Sequence, residues 1–153
     1  MADLSRCLHA ERDALISFVA LLETEQQALI GANTEKLVAL SDSKIQAANE
    51  LGKLAVERKN ELNTCGASEG AGSATAWLKS NALELLPIWQ SIQQLAGKAQ
   101  QMNRTNGILI QSRLRHNQQA LMALQNAART TSGLYGPDGQ PHLETSGRIL
   151  GSG

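Results

Sequence analysis

Apolar residues recur near the beginning of the chain in alternating steps of four and three. The positions concerned are Leu4, Leu8, Glu11, Leu15, Phe18, Leu22, Glu25 and Leu29. This spacing places one residue per turn on the same helix face and is typical of a heptad seam. It predicts a helix over about 3–30, with the two glutamates as polar interruptions.

A second seam follows after a short break. Gly31 is suited to ending a helix, and Asn33 and Thr34 to capping the next one, so we expect a tight reversal there. The spacing of four and three then resumes at Leu37, Leu40, Lys44, Ala47, Leu51, Leu54 and Arg58. It predicts a second helix over about 34–62, antiparallel to the first because the connection is short.

The middle of the chain is rich in small residues. Residues 63–74 contain three glycines among small polar neighbours, which indicates a flexible loop. Residues 75–86 can form a short helix that carries Trp77. Pro87 suits the first turn of a new helix, so we expect a break before it.

The longest helix is predicted over 87–128. Its seam comprises Ile88, Ile92, Leu95, Ala99, Met102, Asn106, Ile110, Leu114, Asn117, Leu121 and Leu124. At 1.5 Å per residue this helix is about 63 Å long, against about 43 Å for each earlier one. About 20 Å of seam would therefore lack a partner helix, and an exposed apolar strip usually marks a binding site or self-association. Gly107 lies inside this predicted helix, where glycine is less stable than alanine. Either a partner helix approaches the backbone closely at this position, or the glycine is tolerated and has no role.

The remaining residues, 129–153, hold six of the 13 glycines and two of the three prolines. They predict a disordered tail. Within it, Leu134 and Tyr135 precede a β-turn signal, Gly136-Pro137-Asp138-Gly139. Tyr135 is either a docking residue or an exposed tyrosine without a role. The chain is thus predicted to be all-α: an elongated antiparallel helical bundle or coiled coil of three main helices, with a short extra helix, in a domain over 1–128 and a tail.

Composition narrows the range of functions. Leu (23) and Ala (21) dominate, whereas the aromatic residues are only Phe18, Trp77, Trp89 and Tyr135. Such a composition favours helices that pack along Leu and Ala stripes, and it disfavours a β-sheet or a pocket lined by aromatic residues. Lys plus Arg and Asp plus Glu number 14 each, so no net charge attracts nucleic acid or an anionic membrane. With no long apolar run, we expect a soluble cytoplasmic protein without a signal sequence or membrane insertion.

Candidate chemistry is sparse. Cys7 and Cys65 are expected to be free thiols, although a bridge between them stays open. No glutamate lies three residues before His9, His116 or His142, and no phosphate-binding or nucleophile motif is present. We therefore expect no catalytic residue, metal or cofactor. Two alternatives from other classes remain: a self-associating structural coiled coil, and a metal or redox enzyme using Cys7, His9 and Cys65.

Polar residues on the long helix allow two interpretations. Asn103, Asn106 and Asn117 either form hydrogen bonds between helices of the bundle or align a partner helix beside the apolar strip. Arg113, Arg115 and His116 form a small basic cluster, which is either a solvated face or a contact for an acidic partner. Glu11 and Glu25 are expected to set helix register or lie at the bundle edge.

The C-terminal half contains a distinctive set of residues: Asn103, Asn106-Gly107, Leu109-Ile110, Arg113, Asn117-Gln118-Gln119-Ala120-Leu121, Leu124, Leu134-Tyr135-Gly136-Pro137-Asp138-Gly139-Gln140 and Gly147-Arg148-Ile149-Leu150-Gly151. This set resembles the FlgN family of flagellar export chaperones. The resemblance extends more weakly to the rest of the chain.

The resemblance implies a cytoplasmic, non-enzymatic chaperone without a cofactor. Its clients would be the C-terminal helical segments of the hook–filament junction proteins FlgK and FlgL, and its receptor the cytoplasmic domain of FlhA at the flagellar type III export gate. Carried over by position, the client-binding residues are Asn106, Gly107, Leu109, Ile110, Leu114, Asn117, Leu121 and Leu124. Leu134, Tyr135 and Gly136 would dock to the gate. Whether the chaperone is a monomer or a homodimer stays open.

Overall fold

The computed structural model describes residues 2–67 and 70–134, without the side chains of residues 71 and 130–134. The elements are α1 (Ala2–Ile30), α2 (Thr34–Thr64), α3 (Ala71–Asn81), a 3₁₀ turn (Leu83–Leu85) and α4 (Leu86–Leu134). All regular structure in these residues is helical, which confirms the all-α prediction. Contacts between Cα atoms divide the chain into two units, one ending at Ile110 and one beginning at Gln111.

The reversal between α1 and α2 lies where the sequence predicts it. The Asn33 side chain accepts a hydrogen bond of 3.1 Å from the backbone N–H of Lys36, which caps the beginning of α2. The Asn33 N–H donates to the carbonyl of Ala28 at 2.9 Å and closes the last turn of α1. Ala32, and not Gly31, adopts the left-handed conformation, with a φ of 53°.

α1 and α2 form the closest pair of helices, and their predicted seams face each other. All seven predicted seam positions of α2 are partly buried. On α1 the buried set is Leu4, Leu8, Glu11, Leu15, Val19, Leu22, Glu25, Ala28 and Leu29. Phe18, a predicted seam position, is partly buried and packs beside Val19, which is the buried residue of this turn.

The core of the first unit consists of two clusters along α1. The larger one joins the first half of α1 and the end of α2 to α3 and the beginning of α4. It contains Leu4, Leu8, Leu15, Leu62, Ala67, Ala74, Leu78, Ala82, Leu85, Trp89 and Ile92. The smaller one contains Val19, Leu22 and Ala99. α1 therefore lies at the centre of the unit, whereas Leu62 is the one buried residue among the described side chains of α2.

The short third helix begins earlier than predicted. The sequence indicates a loop over 63–74 and a helix over 75–86, but α2 continues to Thr64 and α3 spans Ala71–Asn81. Ala74 and Leu78 are buried in the core, and this burial offsets the low helix propensity of the glycine-rich stretch. The helix ends before Ala82, whose backbone is not helical (φ −153°, ψ 61°). In the last turn of α3, the Asn81 side chain donates to the carbonyl of Trp77 at 2.9 Å.

The fourth helix is longer than predicted at both ends. It begins at Leu86, so Pro87 lies in its first turn, where a missing N–H costs no intrahelical hydrogen bond. It ends at Leu134, six residues after the predicted helix end at 128. Extending an existing helix fixes one residue per new hydrogen bond, so weak helix formers such as Thr130 and Thr131 can still be helical. Residues 135–153, on which most of the predicted tail falls, lie outside the described residues.

A candidate partner-binding surface

The second unit contains an exposed apolar face on α4. Leu114, Asn117, Leu121 and Leu124, here called the exposed strip, lie on the same side of α4 because they are three or four residues apart. Leu114 is 57% exposed, Leu121 55% and Leu124 69%. Every residue of 111–129 is exposed. The uncovered seam that the sequence predicts is therefore present in this part of the chain.

The other predicted client-binding residues belong to the first unit and differ among themselves. Ile110 is exposed, and Gly107 and Leu109 are partly buried. A Cβ added at Gly107 would meet nothing within 4 Å, so no described helix approaches it closely. Asn106 is 0% exposed and is not accessible to a client in this conformation.

Asn106 instead belongs to a polar layer between helices. Its Nδ2 donates to the carbonyl of Leu22 at 3.0 Å and to Oε1 of Glu25 at 2.8 Å. The Nζ of Lys44 donates to the same carboxylate oxygen at 3.0 Å. Three helices thus meet at one carboxylate, which agrees with the interpretation of Asn106 as a hydrogen-bonding residue within the bundle.

A second polar layer surrounds Glu11. The Nε of Arg58 donates to Oε2 of Glu11 at 2.6 Å, and the guanidinium lies 4.9 Å from the centre of the Trp89 ring. The indole N–H of Trp89 in turn donates to the hydroxyl of Thr75 at 2.9 Å. Both glutamates lie on the predicted seam of α1, but the seam pattern by itself does not identify their partners. Two heptads separate Glu11 from Glu25 and also Lys44 from Arg58, and this equal spacing could have identified both pairs.

Charge is unevenly distributed along the chain although the total is zero. Within 86–134 there is no Asp or Glu, whereas Lys98, Arg104, Arg113, Arg115 and Arg129 are all cationic. Lys98 pairs with Glu23 of α1 at 3.4 Å. A count of total charge misses this asymmetry, which only a count by predicted element would have found.

The described residues offer few other reactive groups. Cys7 and Cys65 are unbridged and partly buried. Burial raises the pKa of the Cys7 thiol above its ordinary value, and the Glu61 and Glu57 carboxylates raise it further, so the reactive thiolate is disfavoured.

Within 2–67 and 70–134, no three His, Cys, Asp or Glu side chains lie together in an arrangement that could hold a metal ion. None of the helices described in these ranges combines the length and the apolar character needed to span a membrane.

The predicted gate-docking residues lie at the C-terminal limit of the described residues or beyond it. Leu134 is the last residue of α4. Tyr135 and Gly136 lie outside the described residues. Their docking role therefore stays a prediction.

An all-helical fold with an apolar face exposed on its longest helix is typical of proteins that bind another helix. Comparison with known families specifies the class. The model of one family, described as FlgN protein, matches residues 1–142. The chain belongs to the FlgN family.

Curated relatives agree with this assignment. The chain is similar to the flagella synthesis protein FlgN of Yersinia enterocolitica, at 43% identity over 60 residues. It matches the protein of the same name from a serotype O:8, biotype 1B strain of that species equally well. These alignments span 39% of the chain and 40% of each relative, so the chain matches about two fifths of the relatives' length. No solved structure matches at a comparable level of significance.

Proposed function

We propose that this protein is a cytoplasmic flagellar export chaperone without catalytic activity or cofactor. It binds the C-terminal helical segments of the hook–filament junction proteins FlgK and FlgL, prevents their premature assembly and delivers them to the flagellar type III export gate. The observation that carries the proposal is the exposed strip on α4. Membership of the FlgN family and the flagellar synthesis role in the relatives' names support it.

The strip is suited to covering a client helix. Segments that pack as coiled coils in an assembled structure expose apolar stripes beforehand, and a helix with a matching stripe can cover them. Full burial of one leucine side chain is worth roughly 1.5–3 kcal/mol, so three leucines can supply useful affinity. A client helix that folds on binding loses part of this gain to ordering, which lets the carrier release its cargo.

The proposed client-binding residues lie in both units. In the second unit they are the members of the exposed strip, and in the first unit they include Gly107, Leu109 and Ile110. Asn106 is left out, because its side chain is fully buried and its amide donates to α1.

Delivery to the gate is assigned to a separate short motif. Leu134, Tyr135 and Gly136 are proposed to dock to the cytoplasmic domain of FlhA. Tyr135 combines a large apolar ring with a hydroxyl and has few rotamers to freeze, which suits a short docking motif. No ATP site is needed, because the gate can compete with the chaperone for the client.

Calorimetric titration of the FlgK and FlgL C-terminal segments into the full chain tests the proposal. Saturable binding of one segment per chain is expected for at least one client, with light scattering reporting loss of client self-assembly. Stable oligomers of the chain that bind neither segment would contradict it. That result would favour the alternative function, a structural coiled coil that associates through the exposed strip.

A further inference from the structure

A second apolar stripe lies on α2, away from the seam that packs against α1. It consists of Val38, Ile45 and Val56, which are 69%, 58% and 58% exposed. These three side chains project within about 20° of one another around the helix axis, and we call them the outer stripe. Valine and isoleucine are poorer helix formers than the leucine and alanine of the seam, so local helix formation does not explain them at exposed positions. The outer stripe therefore indicates a surface that a partner covers.

The outer stripe borders a shallow groove on α2. The groove is lined by Asn49, Gly52, Lys53, Val56 and Glu57. The first four have the spacing i, i+3, i+4 and i+7, which is the set of residues that surrounds an inserted side chain in knobs-into-holes packing; we call it the Gly52 hole. A Cβ added at Gly52 would meet nothing within 4 Å. Packing within the chain therefore does not require a glycine there, whereas a side chain inserted from outside needs the space.

The same helix carries a side chain that fits this hole. Ile45 lies on the outer stripe seven residues before Gly52. When two copies of a helix pack antiparallel about a twofold axis, each contact occurs twice, because residue i meets j and j meets i. An axis midway between these two positions places Ile45 of each copy in the Gly52 hole of the other. Val38 and Val56 have nearly the same midpoint and meet across the same axis. Asn49 adjoins the axis, where the amides of the two copies can donate to each other.

The charges beside the outer stripe are complementary in the same arrangement. Asp42 and Lys53 lie on one side of the stripe, and their midpoint is within about one residue of that axis. The same sides of the two helices adjoin in such a pair, so Asp42 of each copy faces Lys53 of the other. Lys53 already lies 4.0 Å from Glu50 on its own helix, and both side chains are more than half exposed. An exposed pair of this kind is worth little, and an ammonium has three donors, so Lys53 can contact both carboxylates.

A parallel pair of the same helices is disfavoured. It would set Lys53 opposite Lys53 and Asp42 opposite Asp42, and like charges that face each other are destabilising. It would also set Ile45 against Ile45 and leave the Gly52 hole empty, which forfeits packing contacts.

We propose that the outer face of α2 is a homodimer interface, in which the two α2 helices pack antiparallel with Ile45 of each copy in the Gly52 hole of the other. From Val38 to Val56 the outer stripe is about 27 Å long, a small contact that suits a reversible dimer with a dissociation constant on the order of 10 μM. The outer stripe and the exposed strip share no residue, so this inference goes beyond the proposed client site and does not depend on it.

Sedimentation equilibrium of the full chain from about 1 to 300 μM tests the inference, and a monomer–dimer equilibrium is expected. Gly52→Gln fills the hole and should weaken dimerisation at least about tenfold. Gly97→Gln is the matched control, because Gly97 is also an exposed helical glycine with nothing within 4 Å of an added Cβ. It should leave dimerisation within about twofold. Both variants replace glycine with a better helix former, so neither should lower helix content in circular dichroism.

Charge reversals test the antiparallel register. Asp42→Lys and Lys53→Asp should each weaken dimerisation at least about fivefold, because each sets like charges face to face. The double reversal restores both contacts and should return the dissociation constant to within about threefold of the unmodified protein. Lys79→Asp makes the same change of net charge as Lys53→Asp, but at an exposed position of α3, and should leave dimerisation within about twofold.

Four results would overturn the inference. They are a chain that stays monomeric at every concentration, dimers that Gly52→Gln weakens no more than Gly97→Gln does, a double reversal as weak as the single ones, and an equal loss in Lys79→Asp. Association that is lost in Leu121→Asp but kept in Gly52→Gln would assign the interface to the exposed strip instead. The titration with FlgK and FlgL segments decides the proposed function separately, because dimerisation of the chain alone does not require a client.

Discussion

Four charged residues interrupt the seams of α1 and α2, and each is paired across the hairpin. Glu11 and Glu25 are buried, which would be costly for an isolated carboxylate. Arg58 and Lys44 offset that cost at distances of 2.6 and 3.0 Å. A slip of the hairpin by one turn would separate both pairs at once, so the charges specify the register of α1 on α2.

Removing one member of a pair should be more harmful than removing both. Arg58→Met retains much of the apolar stem but leaves the Glu11 carboxylate buried and uncompensated, so we expect a loss of about 3 kcal/mol in unfolding free energy, measured in urea. Adding Glu11→Leu should recover most of that loss, because no buried charge remains. Equal losses in the single and double variants would show that the pair does not compensate buried charge.

Two helix ends differ in the residue that adopts the left-handed conformation. Ala32 has a φ of 53° after α1, and Gly66 has a φ of 92° after α2. Because the left-handed region is strained for a residue with a Cβ, Ala32→Gly should stabilise the protein by about 0.5–1 kcal/mol. Gly66→Ala should destabilise it by about 1 kcal/mol, although its Cβ would meet nothing within 4 Å. Thermal unfolding measures both, and shifts of the same sign would contradict this account.

At the scale of elements, the heptad pattern predicted the helices well and their ends less well. In α1 a strict heptad repeat places Phe18 on the seam. A straight helix rotates by about 20° per heptad relative to that repeat, and this rotation brings Val19 to the core. The beginning of α3 depends on burial of Ala74 and Leu78 against distant residues, which local propensity does not contain. The end of α4 depends on helix extension through residues that form helices poorly in isolation.

The hydrogen bonds of Asn106 connect α4 to α1, and we expect them to contribute to stability. Asn106→Ala removes the hydrogen bonds to Leu22 and Glu25 and leaves a small cavity, so we expect a loss of about 2 kcal/mol in unfolding free energy. Asn103→Ala is the matched control, because Asn103 is exposed and lies three residues earlier on the same helix. It should change stability by less than about 0.5 kcal/mol. Equal effects would mean that the polar layer contributes nothing specific.

For the whole molecule, the sequence predicted that the seam of the last long helix is longer than the seams of α1 and α2. The structure agrees, because all residues of 111–129 are exposed. The sequence did not distinguish which seam residues are accessible, because Asn106 and Asn117 have the same residue type and similar spacing. Only the packing of α1 against α4 separates the buried asparagine from the exposed one. The uneven charge of α4 was likewise hidden by a total of zero.

Gate docking and client binding should be separable. Tyr135→Ala should weaken binding to the cytoplasmic domain of FlhA by at least about tenfold, because the motif loses its large amphipathic ring. Binding of the FlgK segment should stay within about twofold, since Tyr135 lies beyond the exposed strip in sequence. Surface plasmon resonance with each partner measures both affinities. Parallel loss of both would show that one surface serves both partners.

The most direct test of the central claim uses two aspartate substitutions at equally exposed apolar sites. Leu121 on the exposed strip is 55% exposed, and Val56 on α2 is 58% exposed, so neither change should lower helix content in circular dichroism. By calorimetry, Leu121→Asp should weaken binding of the FlgK segment by at least about tenfold, because it places an unpaired charge in the apolar contact. Val56→Asp should bind like the unmodified protein. Unchanged binding by Leu121→Asp, or an equal loss in Val56→Asp, would contradict the assignment of the exposed strip as the client site.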